Sequence, residues 1–175
     1  MEHMDRQHSS PRSAGPFVTT SGRRLPVRTL SFRDVEGLIE FSDHLARRFD
    51  APRVLGFDRS ALELMTESEF DARIVIGIMA GPRSLIRGVG SYERTPSAAS
   101  ADVSFTVDDS LLPDGVFREM VYRVADHARE HQVKELRAAG AGAGAEHEAF
   151  EASGFPCTAI GTPGQGMLID ITEPR

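Results

Sequence analysis

The chain has one cysteine, Cys157, in 175 residues. A single thiol excludes an internal disulfide framework and a cysteine-based zinc site, and it is compatible with the reducing conditions of a cytoplasm. Long apolar runs are missing as well. No stretch of ten consecutive apolar residues occurs, which excludes a membrane-spanning helix. Positive charge is in deficit, with 20 Lys and Arg against 26 Asp and Glu and a formal net charge of -6. That balance argues against non-specific affinity for nucleic acid, while a partner offering a lysine or another cation stays open. There is no internal repeat, and 16 Gly with 10 Pro is far from a collagen or linker composition. What is there, 40% hydrophobic and 26% charged residues, suits one ordinary folded domain of 19.1 kDa.

Residues 1–16 are rich in Ser, Pro and charge without an apolar period. They read as a disordered tail and lack the apolar run of a secretory signal. Residues 17–175 are expected to form a single domain. Its first segment, FVTTSGRRLPVRTL, predicts two short extended pieces around a Ser21-Gly22 turn. Ser31 and Asp34 have capping-box spacing, and Val35, Leu38, Ser42, Leu45 and Phe49 recur at helical intervals, predicting a helix over 32–49. A short second helix is expected around 58–67. The β-branched run at 72–80 and the extended run at 84–94, joined by Gly81-Pro82-Arg83, read as an antiparallel hairpin. At 101–109 the alternation is clean. Asp102, Ser104 and Thr106 share one face, and Val103, Phe105 and Val107 the other.

The clearest helix spans 114–131, where Phe117, Met120, Val121, Val124 and Ala128 fall in one arc. Tyr122 falls on its polar side, where the hydroxyl can meet water and a surface or second-layer contact is the simpler reading. A strand at 133–139, a helix at 145–155 closed by Gly154, and a strand at 164–172 complete the pattern. The order predicts an α/β (α+β) domain, with a mixed, mostly antiparallel sheet of about six or seven strands flanked by helices.

His127 and His131 stand four apart on one helix, but Ala128-Arg129-Glu130 lies between them. A zincin places its glutamate directly after the first histidine, so helix-end residues are the simpler reading, with His131 further into the apolar arc than His127. Cys157 has no histidine to pair with and reads as a buried or half-buried thiol. The glycines at 140, 142 and 144 lack both P-loop and dinucleotide spacing, leaving a flexible strand-to-helix joint. Asp102, near the start of a strand and opposite its apolar face, is either an exposed strand residue or an active-site base. The segment from Asp108 to Phe117 joins that strand to a helix N-terminus, a common setting for an anion.

The run ADVSFTVDD, a loop, a long helix and then VKELRAA…FEASGF resembles the GNAT acyltransferases. The segments RRLPVRTLSFRDVEGLIEFSDHL and GPRSLIRGVGSYER are similar to the Pat-like protein-lysine acetyltransferases of that superfamily. The resemblance covers about residues 17–172. It implies a GNAT-like fold, acetyl-CoA as cofactor, transfer of an acyl group to an amine such as a protein lysine, and a cytoplasmic setting. By the same resemblance, backbone groups of Phe105, Thr106 and Val107 would meet the pantetheine arm. The segment Asp114, Gly115, Val116, Phe117 and Arg118 would face the pyrophosphate, and Asp102 stands where the family has its general base. The family's loop pattern, Gln/Arg-x-x-Gly-x-Gly/Ala, falls on Leu112 to Phe117. Only Gly115 matches. Pro113 removes an N–H donor, Asp114 adds a carboxylate, and Phe117 replaces a small residue. Ala143 takes the place of the family's asparagine and Phe150 that of its tyrosine acid. Acetyl-CoA is therefore expected to bind weakly or not at all, and a degenerate binding or regulatory module is the alternative to an acyltransferase. Asp108 and Asp109, past the strand end, are expected to be inert controls for Asp102. Self-association through a sheet edge is open, as is the acceptor.

Overall fold

A computed structural model describes residues 15–49, 73–95, 99–139, 145–162 and 165–173. The expected tail up to residue 14, the helix at 58–67 and the glycines at 140, 142 and 144 lie outside the described residues. Two short strands, β1 (Phe17–Val18) and β2 (Arg24–Leu25), pair around a turn in which Gly22 takes φ +81°. That left-handed backbone favours glycine. Next come β3 (Val27–Thr29) and a 3-10 turn, Phe32–Asp34, that opens helix α1 (Val35–Phe49). The capping box is present as read. The Ser31 hydroxyl accepts from the Arg33 N–H, and the Asp34 carboxylate accepts from the Ser31 N–H at 2.9 Å.

Strands β4 (Arg73–Ala80) and β5 (Leu85–Arg94) form the hairpin, and β6 (Ser100–Val107) continues the antiparallel order. A 3-10 turn, Asp109–Asp114, and Gly115 then lead into α2 (Val116–Glu130). Strand β7 (Glu135–Ala139), helix α3 (Ala145–Ser153), β8 (Cys157–Ala159) and β9 (Gly166–Asp170) finish the fold. The seven-stranded sheet runs β3-β4-β5-β6-β7-β9-β8, with β6 and β7 as its parallel pair. It is the mixed, mostly antiparallel sheet that the patterning predicts. Strand β8 lies in a segment that periodicity did not mark, since three residues carry no readable period. The last strand is shorter than its apolar run.

Each face of the sheet has its own helix. Val35, Leu38, Phe41 and Leu45 of α1 pack on Leu30, Val75, Met79, Ile86 and Val89. On the other face Met120, Val121 and Val124 of α2 meet Ile76, Tyr92, Val103 and Leu136 in the larger core. Gly154 closes α3 at φ +79°, as expected. Tyr122 makes a second-layer contact. Its hydroxyl donates to the Ser153 carbonyl at 2.8 Å and its ring meets Phe155 edge-on, so the polar tip is spent on tying α2 to α3. The side chain of Val124 has no exposure. Val124→Asp should lower stability by about 2–5 kcal/mol through an unpaired buried charge and lost packing. A urea titration checks this, and a wild-type midpoint would contradict the packing described.

Candidate functional site

Strands β6 and β7 pair over only Ser100–Val103 and Glu135–Ala138. Beyond Val103 β6 continues without a partner on that side, leaving a wedge between the strands. Three aromatic rings meet beside it. Phe105 comes from β6, Phe117 from the first turn of α2 and Phe150 from α3, with centroids 5.5, 5.6 and 5.3 Å apart. The two contacts of Phe150 are edge-on, a favoured geometry for aromatic pairs. Phe150 is fully enclosed. Room for the cluster comes from β5. Gly90 lies opposite Phe105 in register, and a Cβ there would stand 2.9 Å from the Met120 methyl and 3.1 Å from the Phe105 ring. The cleft left beside the rings, lined by Val103, Ser104 and Ala138 among others, holds about 90 Å³. Pockets for small molecules are typically about 300–1,000 Å³.

The loop ahead of α2 is closed from outside. Asp114 forms an ion pair with Arg23, and the Thr20 N–H donates to the Asp114 carbonyl at 3.4 Å. The Arg23 guanidinium, with the Ser21 hydroxyl second, holds the Asp114 carboxyl below the ordinary carboxylate range. Gly115 takes φ +78°, which a side chain would strain, and Phe17 lies 3.9 Å from the position of a Cβ there. No side chain caps α2. Of the other residues expected near a cofactor, Thr106 and Val107 are half-buried, Val116 is buried and Arg118 is exposed.

Asp102 lies on the opposite face of β6, in register with Glu93 on one side and Arg137 on the other, and all three are exposed. A central strand would ordinarily have that face covered; here the carboxylate is open. His127 and His131 reverse their expected depths. His127 is buried, with its Nδ1 3.0 Å from the Tyr92 hydroxyl, while His131 is half-buried and stacks on it at 4.4 Å. Helical phase alone missed this, because Tyr92 on β5 draws His127 inward. Among the described residues no cluster of three metal-ligating side chains exists. Cys157 is half-buried and its thiol donates to the Phe155 carbonyl.

Asp108 is poorly suited to its expected role as a control, because it is a structural residue. It is 3% exposed and caps the 3-10 turn. Its Oδ1 accepts from the Ser110 N–H, the Ser110 hydroxyl and Arg48, and its Oδ2 lies 2.9 Å from His44 Nε2. The only sequence signal was its place before Ser110; His44 and Arg48 are about 60 residues away.

No protein-family model matches the chain, and no curated protein does. Solved structures do. The GNAT domain of S. lividans PAT is 21% identical, with 93% of this chain and 99% of that one covered and a TM-score of 0.75. The cAMP-binding acyltransferase from Mycobacterium smegmatis is 18% identical, with 91% of this chain covered and a TM-score of 0.63. This chain spans about half of it, 48%. A GNAT-family acetyltransferase from Streptococcus pneumoniae matches at 13% identity over 83% of this chain and 96% of that one, with a TM-score of 0.63. The chain has the GNAT acetyltransferase fold.

Burial pushes the Asp108 carboxyl up, but the Ser110 N–H and hydroxyl, His44 and Arg48 outweigh it and hold the group below its ordinary value. A depressed carboxyl contributes stability above its unfolded value of about 3.9 and loses it as pH falls through the folded value. Stability should therefore fall below about pH 4 in the wild type. Asp108→Asn should be less stable at pH 7 and flatter across that window. Urea midpoints from pH 7 to 3 measure both; parallel curves would contradict the assignment.

Proposed function

We propose that this chain is a GNAT-fold binding or regulatory module that does not use acetyl-CoA in the manner its fold implies. The observation that carries this reading is the Phe105–Phe117–Phe150 cluster between β6 and β7. The resemblance puts the pantetheine arm against β6 at Phe105–Val107, and the chain's own rings close the space beside it. Pro113 inside the 3-10 turn lacks an N–H, and Asp114, kept ionised by Arg23, sets a negative charge where a pyrophosphate would come. These residues do not fit acetyl-CoA.

Calorimetry with acetyl-CoA on the purified chain tests this reading. Dissociation weaker than about 100 μM is expected, and a low-micromolar value would overturn the proposal. Pro113→Gly, Asp114→Arg and Phe117→Gly together should strengthen binding. Losing the Phe117 ring should also cost about 3–5 kcal/mol of stability, so melting is followed beside affinity.

A second reading, an N-acyltransferase acting on an amine such as a protein lysine, draws support from Asp102 alone. Its carboxylate is exposed on a central strand, able to accept a proton from an incoming ammonium group directly or through water. Phe150 has no proton to give. If acyl transfer is detected, Asp102→Asn should lower turnover about 100-fold or more with affinity for the donor unchanged. Equal rates from pH 6 to 9 would remove Asp102 from the chemistry. Asp109, exposed and past the strand end, serves as the control in place of Asp108.

A further inference from the structure

At the C-terminal end of β6, on the face that carries α1, a cavity of about 550 Å³ runs between the β4–β5 turn, the end of α1 and the 3-10 turn. Among the described residues four arginines, Arg23, Arg48, Arg83 and Arg87, line it with His44, and Asp108 is the one carboxylate in its wall. The chain as a whole carries a formal charge of -6, so this concave surface opposes the balance of the molecule. Concavity focuses the field of such a cluster on whatever enters.

The hydrogen bonding shows which charges are already answered. Arg23 is paired with Asp114. Asp108 accepts from Arg48, from Ser110 twice and from His44, which fills the roughly four sites of a carboxylate. Arg87 forms a longer ion pair with the same carboxylate, Nη1 to Oδ2 at 3.7 Å, too far for a hydrogen bond. Arg83 is exposed in the turn after Gly81, and it meets no carboxylate among the described residues. Among the described residues Arg83 thus has no ionic partner, and Arg87 shares Asp108 with Arg48 and His44 without hydrogen-bonding to it. A β-bulge places Arg87. Ile78 pairs with Gly88 and Met79 with Ile86, so Arg87 is the extra residue, and its carbonyl accepts the Asp108 N–H at 2.8 Å. Bulges re-aim side chains in this way and gather beside functional sites.

We propose that this pocket binds the phosphate group of a small phosphorylated molecule, with Arg83 and Arg87 as its donors and His44 and Arg48 held around them by Asp108. A guanidinium matches phosphate oxygens two at a time, which a compact ammonium does not. The volume exceeds what a bare phosphate needs and lies in the range of small-molecule sites, so the organic part of a monoester is accommodated too. The pocket is on the other side of β6 from the three rings, and the proposal goes beyond the reading of the acetyl-CoA position.

The test is calorimetry on the full chain with glycerol 3-phosphate and with inorganic phosphate, at constant ionic strength in chloride. Glycerol 3-phosphate should bind at about 1 mM or tighter, inorganic phosphate more weakly, and glycerol not at all. Arg87→Gln and Arg83→Gln should each weaken binding at least about tenfold, as loss of a charged hydrogen-bonding partner does. Arg83 is exposed in a turn, so its variant keeps the fold, and its ligand-free melting temperature should equal the wild type's. No heat above the chloride control, or undiminished binding in both variants, would overturn the proposal. Acetyl-CoA binding that survives Arg83→Gln would count against the wedge reading and leave this one standing.

Discussion

A carboxylate taken out of water is costly unless donors replace its lost hydration, and Asp108 is where this chain meets that constraint. The donors come from two places, His44 and Arg48 at the end of α1 and Ser110 in the turn after β6, while the Arg87 carbonyl of β5 accepts the Asp108 backbone N–H. Satisfying one side chain therefore fixes how α1 lies across the sheet and how the chain leaves β6. The direction of that exit sets where α2 begins, and with it the position of Phe117. Remove the charge and the arginine-lined cavity loses the group that organises it.

Strand β6 serves two environments because its side chains alternate. Asp102, Ser104 and Asp108 fall on one face, while Val103 and Phe105 fall on the other with the rings of Phe117 and Phe150. A one-residue slip would exchange these sets, burying carboxylates among aromatic rings, so the register is held by a large penalty. Gly90 carries part of the same specification. Its missing side chain is what lets Phe105 lie across β5.

The fold was largely legible because its signals are local. The capping box at Ser31 and Asp34, the alternation along β6, the arc of Phe117 to Ala128 and the glycine after α3 each lie within a few residues. The loop's departures at Pro113, Asp114 and Phe117 were equally readable, as substitutions against a pattern. What escaped depends on pairs far apart in the chain. Nothing near Asp108 announces His44, Arg48 or Arg87; nothing near His127 announces Tyr92; and Tyr122 finds Ser153 only once α2 and α3 pack. Phe117 and Phe150 are each legible as departures from the family pattern, but their meeting with Phe105 requires the sheet. Charge pairing and ring clustering are tertiary properties, and periodicity does not encode them.

The short parallel contact between β6 and β7 also divides the sheet. One part, β3 to β6, is joined by antiparallel neighbours close in sequence, and the other, β7 to β9, closes on itself near the C-terminus. Four register pairs join them through the sheet, and beside that seam Phe105 of the first part meets Phe117 of α2 and Phe150 of α3. The aromatic cluster thus ties β6 to the two helices that flank this seam. Being apolar, it weakens on cooling, whereas the ion pairs around Asp108, whose carboxylate is buried, are screened by salt far less than surface pairs. One face of β6 is thus held by a joint that feels temperature and the other by one that feels the protonation of a single carboxylate.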